Sequence, residues 1–124
     1  MKKLVHIKDP TYGGEIYVLS AATQPEVDAT IRKIAPEFEG CTEFKGVGCT
    51  WAFGPDDGAE GNTFLVATKE HPTRPYGISI LVHELLHVTQ HLLDGIGMTM
   101  GDETVEAYCY YLDSLVRDVL KGLK

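Results

Sequence analysis

The apolar positions change spacing along the chain, and each spacing predicts an element. Leu4 to Ile7 and Glu15 to Leu19 are short runs dense in β-branched and aromatic residues, separated by the turn-forming DPTYGG, and they read as two strands. From Val27 the period becomes helical, with Ile31, Ile34 and Phe38 on the same face. Thr23 and Glu26 stand three positions apart at the start of this helix, where hydroxyl and carboxylate each close a free backbone N–H; Pro36 ends or bends it. Residues 40–68 return to strand character, with CTWAF and TFLVATK flanking GPDDGAEGN, long enough for a hairpin loop. Asp56, Asp57 and Glu60 in that loop lack the spacing of a calcium site and read as a solvated acidic tip.

The second half is helical. ISILVHELLHVTQHLLD runs from Ile78 to Asp94, with Gly95 placed to cap it. GIGMTMG follows, then DETVEAYCYYLDSLVRDVLKGL, whose acidic first turn suits the positive end of a helix. Val105, Tyr108, Leu112, Val116, Val119 and Leu123 form its apolar face. The order strand, strand, helix, strands, helix, helix predicts one α+β domain over residues 1–124, a small mixed or antiparallel sheet packed on a helical pair.

Composition narrows the function classes. Apolar residues make up 44% and charged residues 23%, as in an ordinary folded domain. Eighteen acids against eleven Lys plus Arg, with the bases scattered, oppose a nucleic-acid partner. Cys41, Cys49 and Cys109 form no C-x-x-C pair and read as free thiols. MKKLVHIKDP is too short in apolar residues for a signal peptide, and no run reaches membrane length, so the expected location is cytoplasmic, off the membrane.

Residues 83–91, HELLHVTQH, hold three of the five histidines. At about 100° per residue, Gln90, His83, Asp94, His87, His91 and Glu84 share one arc, and Leu81, Leu85, Leu86, Val88, Leu92 and Leu93 fill most of the rest. A solvated helix face is normally filled with Lys, Arg, Glu and Gln, yet this stripe has no lysine or arginine. His83 and His87, one turn apart, point the same way and are spaced to close on one ion. Glu84, about 100° round from His83, is placed to take a proton from a metal-bound water attacking a carbonyl. This is the H-E-x-x-H pattern of zinc hydrolases.

HELLHVTQHLLDGIG followed by DETVEAYCYYLDSL resembles the zincin metallopeptidases, above all the small zincin-like proteins of bacteriophages and prophages. The resemblance covers residues 78–115. It implies a Zn²⁺ site, Glu84 as base, His83 and His87 as ligands, a third ligand from the last helix, and a peptide or protein substrate. Position 93 is leucine where the metzincin variant has histidine, which excludes that subclass.

The residues themselves leave the third ligand open among Glu103, Glu106, Asp113 and His91. His91 lies about 12 Å along the axis from His83, so it belongs to the pocket wall, to a supporting hydrogen bond or to solvent. The resemblance maps the third ligand onto Glu106, with Glu103 next. Strictly antiparallel helices would set Tyr110 or Asp113 opposite the histidines, so Glu106 reaches them only across an angled pair or a loop that changes level. Asp113 reads otherwise as a support for a histidine N–H or as a solvated partner of Arg117. His71, Arg74, Tyr76 and the tyrosines of the last helix are candidate oxyanion donors, and Trp51 reads as core or pocket wall. Three functions follow: a zinc-dependent peptidase, a zinc-binding interaction module without catalysis, or an interaction protein with a histidine stripe and no metal.

Overall fold

A computed structural model describes residues 2–124. Its elements are strands β1 (Leu4–Lys8) and β2 (Glu15–Leu19), helix α1 (Gln24–Ile34), strands β3 (Gly48–Phe53) and β4 (Thr63–Thr68), and helices α2 (Pro75–Gly95) and α3 (Val105–Gly122). The four strands form one mixed sheet in the order β1-β2-β4-β3. β2 and β4 run parallel in the centre, and β1 and β3 are antiparallel at the two edges. The α+β reading therefore holds.

Alternation along the central strands sorts the core into two halves. Ile16, Val18, Phe64 and Val66 pack with Val5 and with Leu81, Leu85, Val88 and Leu92 of α2 and Leu115, Val119 and Leu123 of α3. Leu19, Leu65, Ala67 and Phe53 face the opposite way, against Val27 and Ile31 of α1. The sheet is thus covered on both faces, by α1 on one and by α2 with α3 on the other. That is why β4 is buried at all six positions rather than every second one.

Local chemistry places the helix ends. Thr23 caps α1 and Glu26 completes the capping box, while the Lys3 ammonium bonded to Glu26 holds that carboxyl below its ordinary pKa. Pro36 stops α1 early, so Phe38 lies beyond it and meets Phe53 edge-on. α2 begins at Pro75, three residues before the first apolar position that signals it, because proline suits a first helical turn. Gly95 is not its cap. Gly97 takes the left-handed φ of 85°, and Gly97 and Met98 donate to Asp94 and Leu93 carbonyls at 3.0 and 2.8 Å, closing the last turn.

A buried carboxylate fastens the β1–β2 turn to α3. Asp9 accepts from the Thr11 and Tyr12 amides at 2.8 and 3.0 Å and from the Tyr111 hydroxyl at 2.8 Å. Burial first, then the bond to Asp9, raises the Tyr111 pKa far above 10.0. The folded value lies above the unfolded one, so this contribution is complete below about pH 10 and is lost as pH rises past it. Tyr111→Phe is expected to cost about 1.5–3 kcal/mol at pH 7, the worth of a hydrogen bond to a charged group. Urea unfolding at pH 7 and pH 10.5 checks this: the wild-type protein should lose more stability between the two than the variant.

Candidate functional site

α2 lies along the edge strand β3, and the contact is unusually close at Gly48. A Cβ there would sit 2.9 Å from Ile80 Cγ2 and 3.0 Å from Glu84 Cγ, so only glycine lets the helix approach this far. The same contact buries Glu84. It is 7% exposed, and Thr50 Oγ1 on β3 donates to its Oε1 at 2.8 Å. Its other oxygen, Oε2, lies 3.8 Å from His83 Nε2. Glu84 therefore faces the sheet edge, whereas Leu86, placed by periodicity on the buried arc, is 40% exposed.

His83 and His87 stay together. Their rings lie 5.0 Å apart, centre to centre, at 76°. The His83 side chain is 69% exposed. His91 does not join them: its ring meets Phe64 of β4 edge-on at 5.3 Å, which makes it a wall residue.

Two hollows meet at Glu84. One, of about 320 Å³, lies against Val47, Gly48, Ser79, Ile80 and His83. The other, of about 420 Å³, is floored by Ala52 and Phe64 and walled by Thr50, Glu84, His87, Gln90, His91 and Asp94. Together they make a groove between α2 and β3 that carries two carboxylates and no lysine or arginine.

The backbone beside this groove is open. Lys69 N–H donates to Val47 O at 2.9 Å, one step beyond the pairing of Gly48 with Thr68. Antiparallel ladders alternate, so Cys49, Trp51 and Phe53 turn their N–H and C=O groups toward β4, and Gly48, Thr50 and Ala52 turn theirs away from it. Among the described residues, no backbone group bonds those outward ones. The side chains follow the same alternation. Gly48, Thr50 and Ala52 belong to the groove, while Trp51 packs on the α1 face and donates from Nε1 to Cys41 O at 3.0 Å. Trp51 is half-buried and packs against the core on that face rather than lining the groove.

The expected three-ligand zinc centre is not assembled. Among the described residues no group of three or more His, Cys, Asp or Glu side chains is able to hold a metal ion. This corrects the metal-binding and metallopeptidase reading of His83, His87 and Glu106. The reason lies in the helical hairpin. The Tyr108 hydroxyl, near the start of α3, lies 2.7 Å from Met98 O and 3.0 Å from Asp94 Oδ1 and shares its one proton between these two acceptors, which pins that start to the end of α2. His87 lies about 11 Å back along the axis from Asp94, and Glu106 precedes Tyr108 and is exposed. Glu103 is exposed as well, and Asp113 faces Arg117 across 3.7 Å. Two imidazoles without a third protein ligand do not fit the zinc centre of a hydrolase, which takes three and leaves one position for water.

The other sequence candidates are dispersed. His71 Nδ1 is hydrogen-bonded to Ser20 Oγ, and Arg74 and Tyr76 are exposed at the start of α2. Tyr108 is buried packing, its hydroxyl pKa raised by that burial and then by Asp94. The three cysteines are free thiols. Sequence reasoning missed Thr50, Gly48 and the open edge of β3; the one visible signal was a strand, GCTWAF, with neither charge nor proline.

No helix among the described residues is long and apolar enough to cross a membrane. No protein-family model, curated protein or solved structure matches the chain.

Proposed function

We propose that the domain binds an extended polypeptide segment, which adds to the free edge of β3 and lays alternate side chains into the groove beside α2. The observation that carries this reading is the outward row of N–H and C=O groups on Gly48, Thr50 and Ala52, next to a walled groove. Strand addition takes its affinity from such main-chain groups and its selectivity from the pockets beside them. Edge strands that do not pair are usually guarded by charge or proline. The opposite edge, β1, carries His6 and Lys8 and follows Lys2 and Lys3, whereas β3 carries neither guard.

Ala52→Pro tests the reading. Its N–H points away from β4, so proline removes an edge donor and leaves the internal ladder intact. Peptides selected for binding to the wild-type protein should bind this variant about tenfold or more weakly, and N-methylation of alternate peptide amides should have the same effect. Equal binding to both proteins by fluorescence anisotropy refutes strand addition.

Glu84 favours a second reading, hydrolysis of the bound chain. Thr50 holds one carboxylate oxygen, which leaves Oε2 to take a proton from water. Mass spectrometry of bound peptides would show cleavage by the wild-type protein and none by Glu84→Gln; intact peptide with both proteins rules this second reading out.

A further inference from the structure

We infer, on the footing of that peptide-binding reading, that the added strand carries a lysine or arginine where its side chain enters the wide end of the groove, at Asp94. Three features meet there. The first is charge. Glu84 and Asp94 line the groove, the imidazoles of His83, His87 and His91 are its nearest approach to a base, and the whole chain carries a net charge of −7.

The second is the helix end. α1 has Arg32 and Lys33 in its last turn and α3 has Lys121, as the negative end of a helix favours. α2 has no basic residue in its last turn. It places Asp94 there instead, so a carboxylate and the negative helix terminus stand together without a cation. Asp94 is exposed, so water screens much of this repulsion in the free protein, and a ligand that brings positive charge is favoured there.

The third is orientation. The buried Tyr108 hydroxyl holds Asp94 Oδ1 at 3.0 Å, which fixes the carboxylate against the hairpin. No Lys, Arg or His forms an ion pair with Asp94 among the described residues. Register selects the peptide position. The side chain entering beside Gly48 meets the tight contact with Glu84 and the one beside Thr50 meets the Thr50–Glu84 hydrogen bond, whereas the one entering beside Ala52 has the open part of the wider hollow, which Gln90, His91 and Asp94 also line. A long flexible side chain with a terminal cation suits the second position.

The test uses blocked Val/Thr hexapeptides with lysine, norleucine or glutamate at one alternating position, titrated against the full chain. Norleucine keeps most of the lysine stem and removes the charge. Lysine peptides should bind about tenfold more tightly than norleucine ones, a gap of about 1.4 kcal/mol, and the gap should narrow as salt rises. In Asp94→Asn, which keeps an acceptor for Tyr108, the lysine advantage should fall below about twofold, on the same scale. Gln90→Lys, which sets a cation four residues before Asp94 on the same face, should remove it as well. A lysine advantage that survives both variants overturns the assignment to Asp94. Equal binding of the lysine, norleucine and glutamate peptides overturns the basic preference and leaves strand addition standing. If none of the hexapeptides binds, the peptide-binding reading itself falls, and this inference with it.

Discussion

Leu85→Ala is expected to lower the unfolding free energy by about 2–5 kcal/mol, whereas Leu86→Ala, one residue on in the same motif, should change it by no more than about 0.5 kcal/mol. Leu85 is fully buried and packs into the cluster that joins α2 to Val18, Val66 and Leu115. Removing its branched end leaves a cavity that surrounding elements on three sides cannot fill. Leu86 is 40% exposed, and truncating it at the surface leaves no enclosed cavity. Guanidinium unfolding of the two variants decides the matter, and comparable losses would mean that α2 is rotated about its axis from the position described.

Gly48→Val carries the second large effect because it couples the fold to the groove. The new side chain meets Ile80 and Glu84 at distances that real Cβ atoms scarcely show, and neither neighbour is a free-swinging chain end. Overpacking of this kind costs about 1–3 kcal/mol. The helix must move off β3, so the Thr50 hydrogen bond to Glu84 should lengthen or break and the groove should lose its tight end. Thermal unfolding should show a fall of several degrees, roughly 4 °C for each kcal/mol in a chain of this size. Peptide affinity should fall with it. Wild-type stability in Gly48→Val would show that α2 does not lean on the edge strand.

Much of the fold was legible because its signals are local. The Thr23–Glu26 cap, the strand alternation of EIYVL and the helical period of ILVHELLHV depend on neighbours within one turn or one pleat. The site was legible only in its local part. The spacing of four between His83 and His87 brings their rings together whatever else the chain does. The pairing of those histidines with Glu106 depended on the level at which α3 meets α2. The Tyr108 bonds to Asp94 and Met98 decide that level, and no periodicity encodes them. The buried side of Glu84 was likewise not visible on a helical wheel. An amphipathic arc says which residues share a face; it does not say that an edge strand will press on that face at one glycine.

By itself the chain determined its secondary elements, its α+β class and the histidine pair, since caps, turns and apolar periods act over a few residues. Tertiary structure alone decided that β3 is an unguarded edge, that Gly48 and Thr50 hold Glu84 beneath α2, and that Glu106 stays apart from His83 and His87. Those outcomes depend on strand order and on how far one helix slides against another. Both are settled by the summed packing of residues distant in sequence, which no local pattern records.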